Sequence, residues 1–153
     1  MVRVAALVLA AVTLAAGSPG SGAATRCAPT RADALGPFYE PGAPVRSRVG
    51  TGYVLRGRVL TTRCRPIARA RIELWLVNPR GRYDDAHRAT LFAARDGRYR
   101  FQSNRPVGYQ GRPPHIHLRI SARGFRSLVT QHYPRSGRTT AVFNLVLVRS
   151  LAS

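Results

Sequence analysis

Hydrophobic and polar residues alternate along much of the chain beyond residue 52, a pattern typical of β-strands with one buried face. The alternation is clearest over residues 71–76 and 141–147. Strands are predicted at residues 53–60, 70–77, 98–102, 115–121, 127–131 and 140–148. No convincing amphipathic helix interrupts this series. The pattern therefore predicts an all-β fold, an antiparallel sandwich or barrel, and we favour the antiparallel β-sandwich.

The segment before the first predicted strand has a different composition. Residues 25–52 are rich in Gly and Pro and include GPFYEPGAP at 36–44. Such a composition favours turns over regular elements, so we expect an ordered but irregular N-terminal arm without a helix.

The first 24 residues have the composition of an export signal. Arg3 precedes a short run of Val, Leu and Ala, and small residues follow, ending in Gly22-Ala23-Ala24. This pattern predicts a secretory signal peptide at 1–24, too short to anchor the chain in a bilayer. We expect a single secreted domain at 25–153 that is free of the membrane after cleavage.

The chain has only two cysteines, Cys27 and Cys64. Export would place them in an oxidising compartment where a disulfide persists, so we expect them to pair. Without a CxxC motif or a third cysteine, a thiolate metal site is not expected.

The formal net charge is +19, and all 25 basic residues are arginine. Such a charge favours binding of polyanions such as nucleic acid or acidic wall polymers. The alternative is a compositional bias spread over the surface. No stretch combines clustered arginine with interleaved aromatic residues, so we expect no specific nucleic-acid partner.

Two histidines lie one residue apart in the predicted strand at 115–121. Side chains alternate across a strand, so His115 and His117 should project from the same face and could share a metal ion. Pro113 and Pro114 restrict the backbone that enters the strand. The alternative is that one histidine makes a structural hydrogen bond and the other lies at the surface.

Two tyrosines provide the other candidate ligands. Tyr83 follows a predicted strand, and Tyr109 lies on a loop between two glycines. A phenol loses its proton near pH 10, so it ligates at neutral pH only to an acidic metal. Phenolates beside imidazoles suit ferric iron better than zinc. Alternatively, Tyr83 is a turn residue and Tyr109 a packing aromatic.

Five ordered segments resemble the non-haem Fe(III) intradiol ring-cleavage dioxygenases, which split catechols between their two hydroxyl-bearing carbons. The segments are GPFYEPGAPVR at 36–46, IELWLVNPRGRY at 72–83, DGRYRFQSNRPVGY at 96–109, RPPHIHLRI at 112–120 and LVTQHYP at 128–134. Their order and spacing agree with the family from Leu35 to Val148. One departure is Asp84-Asp85, where the family often has a basic residue or His.

The resemblance implies specific roles for residues in these motifs. The implied Fe(III) ligands are Tyr83, Tyr109, His115 and His117. The resemblance also implies a catalytic role for Tyr109. Arg112 corresponds to a residue beside the bound substrate, where a guanidinium could stabilise negative charge during catalysis. Gln131 matches a residue that hydrogen-bonds a ligand or substrate oxygen. Tyr39 lies near the substrate pocket by analogy, although simple packing is the favoured alternative.

The sequence therefore predicts a secreted Fe(III)-dependent enzyme that cleaves catecholic substrates with O2 to muconate-type diacids. The alternative is a non-catalytic β-sandwich that binds polyphenols or acidic wall polymers through its arginine-rich surface. The identity of the catechol and the oligomeric state stay open.

Overall fold

The computed structural model describes residues 25–151, and the predicted signal peptide lies outside this range. Among the described residues there are eight β-strands, a 3₁₀ turn at Asp85–His87 and no α-helix. The strands are β1 (Gly52–Thr61), β2 (Arg71–Trp75), β3 (Arg88–Phe92), β4 (Arg98–Asn104), β5 (Ile116–Ser121), β6 (Leu128–His132), β7 (Thr140–Val142) and β8 (Leu145–Leu147). No helix within 25–151 is long and apolar enough to cross a membrane.

The strands form two four-stranded sheets, which confirms the predicted all-β sandwich with an irregular arm. Sheet one has the order β4-β1-β7, and β8 also pairs with β1. Sheet two has the order β3-β2-β5-β6, and all its pairs are antiparallel. Both β7 and β8 run parallel to β1. These parallel pairs depart from a purely antiparallel expectation, because the chain crosses between sheets after β6 and enters beside β1 in the same direction.

Two elements differ from the sequence prediction. Strand β3 was missed, because its sequence RATLF shows no simple alternation: Arg88 and Thr90 are buried together with their apolar neighbours. The strand predicted at 140–148 is broken in two at Phe143-Asn144. There the side-chain oxygen of Asn144 accepts a hydrogen bond from the backbone N–H of Arg58, in place of a backbone carbonyl.

The core lies between the inner faces of the two sheets. Sheet one contributes Leu55 and Phe101, and sheet two contributes Ile72, Leu74 and Leu118, all almost fully buried. Each such side chain stabilises the fold by about 1.5–3 kcal/mol through removal of apolar surface from water. The core thus holds the two sheets in a fixed relation.

The arm covers the outer face of sheet two. Backbone hydrogen bonds join Asp33 N to the Val129 carbonyl (2.9 Å) and Thr90 N to the Pro44 carbonyl (2.8 Å). A disulfide joins Cys27, at the start of the arm, to a turn beyond β1 at Cys64. Because the arm packs here, both faces of sheet two are enclosed, and polar side chains on its outer face are withdrawn from solvent.

Candidate metal centre

The two histidines lie side by side on the outer face of sheet two. His117 is on β5, where its backbone is paired with Trp75 on β2 and Gln131 on β6. His115 precedes the strand, and both imidazoles are almost fully buried. Their Nε2 atoms are 3.1 Å apart. The structure therefore brings two potential ligand atoms to one point, as strand alternation predicts.

Each imidazole is oriented by a neighbour. The Nδ1–H of His115 donates to the Pro113 carbonyl at 2.7 Å, which leaves the Nε2 lone pair directed at the site. The ring of His117 stacks on Trp75 with centroids 4.9 Å apart and planes at 3°. Its Nδ1 is buried without a hydrogen-bond partner among residues 25–151.

Tyr83 is positioned by a loop that Asn78 holds together. The Asn78 side-chain oxygen accepts hydrogen bonds from the backbone N–H groups of Arg80 and Arg82, and its amide nitrogen donates to Asp84 at 2.8 Å. Gly81 has φ +73°, a left-handed conformation that suits the turn. Asp84, a departure from the family pattern, thus serves to fix the loop beside Tyr83.

Tyr109 is positioned by a tight turn that also carries Arg112. The backbones of these two residues are paired, with the Arg112 N–H donating to the Tyr109 carbonyl at 2.8 Å. Gln110 and Gly111 between them have φ +47° and +75°, as a type I′ turn requires. The turn therefore places a phenol and a guanidinium next to one another.

The oxygen and nitrogen atoms of the four predicted ligands form a continuous chain of contacts. The Tyr83 hydroxyl is 3.0 Å from the Tyr109 hydroxyl and 2.9 Å from Nε2 of His117, which in turn contacts His115. Ligands about 2.0–2.1 Å from a metal and at right angles to each other would be roughly 2.9 Å apart. The spacing and the donor types both fit one metal ion.

Burial sets the protonation of these groups in the absence of a cation. Burial, together with the smaller effect of the neighbouring His115, lowers the pKa of His117 to about 4. It also lowers the pKa of His115. Both imidazoles are then neutral, as ligation requires. Burial, with the Tyr109 hydrogen bond, raises the pKa of Tyr83 far above its ordinary value, so this phenol ionises only against a strongly acidic cation.

Arg112 and Gln131 meet beside the histidines. The Arg112 guanidinium donates to the Gln131 side-chain oxygen at 3.0 Å, and the Gln131 amide donates to the Ala34 carbonyl at 2.8 Å. Tyr133 completes the group, since its hydroxyl lies 3.0 Å from both Gln131 and Asp33. The charge of Arg112 lowers the pKa of both histidines and opposes the rise of the pKa at Tyr83.

Tyr39 lies apart from this group. Its hydroxyl donates to Glu73 at 3.1 Å and accepts from Arg119 at 3.0 Å, and its ring packs on Trp75 with centroids 5.2 Å apart. These contacts agree with a packing role. Substrate contact by Tyr39 stays a prediction.

Sequence reasoning missed several residues that shape the site. Phe38 of the arm stacks on Tyr83 with ring centroids 4.4 Å apart, and Trp75 supports His117. Both belong to motifs recognised as segments, but nothing in their spacing indicated these contacts. Within residues 25–151 no cluster of three or more His, Cys, Asp or Glu could hold a metal, so the site depends on its tyrosines.

Comparison with known proteins agrees with the resemblance. A family model described as Dioxygenase matches residues 42–142, about two thirds of the chain. The chain belongs to the intradiol ring-cleavage dioxygenase family. Similar proteins include catechol 1,2-dioxygenase 2 of Acinetobacter lwoffii, which is 36% identical over 63% of this chain and 48% of its own length. Hydroxyquinol 1,2-dioxygenase of Rhizobium sp. is 30% identical over 72% of this chain and 50% of its own.

The chain spans about half the length of these relatives, whereas two solved structures of this dioxygenase fold match it over almost their whole length. One is the dioxygenase domain of a dioxygenase carbohydrate-binding protein fusion from Streptomyces sp. SirexAA-E. It has a TM-score of 0.73, 26% identity, and coverage of 80% of this chain and 100% of the other. The intradiol ring-cleavage dioxygenase from Tetranychus urticae has a TM-score of 0.72 and 17% identity, covering 81% of this chain and 98% of its own; it shows the shared fold.

Proposed function

We propose that this dioxygenase family member is an exported Fe(III) enzyme that cleaves catecholic compounds between their hydroxyl-bearing carbons with O2. The observation that carries the proposal is the convergence of Tyr83, Tyr109, His115 and His117, whose oxygen and nitrogen atoms are linked by contacts of 2.9–3.1 Å. Two phenolates, two neutral imidazoles and one hydroxide would balance the 3+ charge of ferric iron. Export is supported by the sequence of residues 1–24.

Ferric iron in this site would supply Lewis acidity that polarises a catecholate ring towards O2. The protein would hold the catechol and receive its protons. Tyr109 is the better candidate base, because it ends the chain of contacts and lies on a turn, whereas Tyr83 contacts both Tyr109 and His117. A proton from a catecholic hydroxyl would then move to the Tyr109 oxygen.

Arg112 would stabilise the negative charge of the bound catecholate. Its guanidinium is half-buried and held by Gln131, so its position is set before substrate arrives. Tyr133 and Asp33 in turn orient Gln131. This network links the guanidinium to the arm.

The proposal is tested on purified protein loaded with ferric iron. We expect one iron per chain, a visible absorption band from tyrosinate-to-iron charge transfer, and oxygen uptake with catechol that yields a muconate. Comparing catechol, hydroxyquinol and protocatechuate would identify the preferred substrate. A colourless protein that binds no iron, or one that binds iron without any oxygen uptake on this panel, would contradict the proposal.

Variants separate the site from general stability. Tyr83→Phe removes one of the two ligand phenolates, so it should shift and weaken the absorption band, which Tyr109 still supports, and should remove at least 99% of the oxygen uptake, on the order of a hundredfold loss. Tyr99→Phe is the matched control, because Tyr99 is a buried tyrosine on sheet one that bonds the Phe143 carbonyl instead. It should keep both the band and the activity.

A further inference from the structure

Four exposed arginines form a compact group on the outer face of sheet one. Arg56 and Arg58 on β1 are paired directly with Arg100 and Arg98 on β4. We call these four residues the arginine face. With Val142 and Asn144 they line a depression of about 750 Å³. Because strand residues two apart point to the same side, all four side chains project away from the core.

The arginine face is unfavourable for the isolated protein. Directly opposed side chains in an antiparallel pair lie about 5 Å apart, and like charges at that position are destabilising. Within residues 25–151, Arg98 alone of the four has a carboxylate partner, Asp96 at 3.0 Å. The repulsion between these guanidinium groups decreases when an external anion binds across them.

The rest of the chain offers no substitute for that anion. It has six acidic residues, and the five other than Asp96 contact groups away from the arginine face. Their partners are Tyr133 for Asp33, Arg88 for Glu40 and Asp85, Arg71 and Arg119 for Glu73, and His87 for Asp84. The arginine face therefore differs from a general excess of positive charge, because its four arginines lie directly opposite one another on adjacent strands.

The chemistry of the arginine face favours carboxylates on a polymer. A guanidinium binds a carboxylate through two parallel hydrogen bonds. Two arginines on one strand are separated by roughly 7 Å, so the group presents charges at regular intervals. Nucleic-acid bases would need exposed aromatic rings to stack on, whereas the one aromatic ring lining the depression, Tyr99, is buried and bonded to the Phe143 carbonyl.

We propose that the arginine face binds an acidic polysaccharide whose sugar units carry carboxylate groups. The bound polymer would lie on the outer face of sheet one. The candidate metal centre lies on the outer face of sheet two, across the core. Binding would therefore leave the metal centre open, and this inference does not depend on the proposed ring-cleavage activity.

The test measures the affinity of the full chain for polygalacturonate by calorimetry at low ionic strength. The double variant Arg56→Gln, Arg100→Gln should bind at least about tenfold more weakly, since it removes one opposed pair of guanidinium groups. The control Arg123→Gln, Arg126→Gln lowers the net charge equally, at exposed positions in the β5–β6 turn. It should change the affinity by less than about twofold.

Three results would overturn the inference. Equal losses in both double variants would mean that net charge alone drives binding. Equal affinity for neutral dextran would exclude recognition of carboxylates. Tighter binding of single-stranded poly(dT) through the same arginines would identify a nucleic-acid surface instead. A second pair, Arg58→Gln with Arg98→Gln, must also weaken binding, which keeps the test valid if the first variant folds poorly.

Discussion

Replacing Gly36 with alanine tests whether the arm holds His117 in its ligating position. Gly36 has φ +74°, and a Cβ atom there would lie 3.1 Å from Cε1 of His117. The substitution therefore adds backbone strain and a close contact with the imidazole. Gly137→Ala is a matched control, since Gly137 also has φ +74° but no atom within 4 Å of its Cβ position.

Backbone strain should destabilise both variants to the same extent. A non-glycine residue in the left-handed region costs about 1–2 kcal/mol, partly offset because alanine lowers the entropy of the unfolded chain, leaving about 1 kcal/mol. For a domain of this size the entropy of unfolding is about 0.27 kcal/mol per kelvin. The melting temperature should therefore fall by about 4 °C in each variant.

The close contact should affect the metal centre in Gly36→Ala alone. A carbon–carbon distance of 3.1 Å is a few tenths of an ångström shorter than an ordinary contact. The imidazole must move by about that amount, and Trp75 stacked on its ring restricts the movement. We expect ferric iron to bind about tenfold more weakly, as is typical when a group orienting a ligand is disturbed.

The assay combines calorimetric melting of the metal-free protein with ferric titration followed by the charge-transfer band. We expect Gly137→Ala to melt lower but to bind iron as the unmodified protein does. If Gly36→Ala also binds iron normally, the arm does not hold His117. If both variants lose affinity equally, backbone strain and not the contact is responsible.

Three further predictions concern stability. Cys27→Ser should lower the free energy of unfolding by about 4 kcal/mol in the chain-entropy account of a disulfide spanning 37 positions; urea titration under oxidising conditions measures it, and an unchanged midpoint would show that the arm is held by its packing alone. Phe101→Ala should cost about 3–5 kcal/mol through a core cavity, and a loss below about 1 kcal/mol in the same titration would mean that the core refills the space. Burial raises the pKa of Tyr99, so above about pH 10 the unfolded phenol ionises while the folded one stays protonated, and stability falls as pH rises. Tyr99→Phe should be about 1 kcal/mol less stable at neutral pH, where its hydrogen bond is lost, yet decline less steeply in alkaline melting curves; parallel declines would refute this origin.

Much of the fold was predictable because it depends on local periodicity. Alternation over 71–76 predicted β2, and the composition of residues 25–52 predicted an irregular arm. Strand β3 was not predictable, because its buried Arg88 and Thr90 are satisfied by the arm: Arg88 donates to the Phe38 carbonyl at 2.6 Å, and Thr90 donates to the Ala43 carbonyl at 2.8 Å. From the sequence pattern alone such polar residues are predicted to be exposed, because the hydrogen-bond acceptors that allow their burial lie in a distant segment.

The candidate metal centre likewise combines features that the local sequence determines with features that depend on tertiary packing. The sequence by itself determined which ligand types are present, their order along the chain and the shared face of His115 and His117, because strand alternation is a local property. Only the tertiary structure decided that Tyr83 and Tyr109 reach those imidazoles, since two loops and the packed arm bring them within 3.0 Å of each other. It also decided that β1 and β4 are neighbours in one sheet although residues 62–97 separate them in the chain, and this pairing gathers Arg56, Arg58, Arg98 and Arg100 into one charged surface. Contacts between residues far apart in sequence depend on the packing of the whole domain, and no local pattern encodes them.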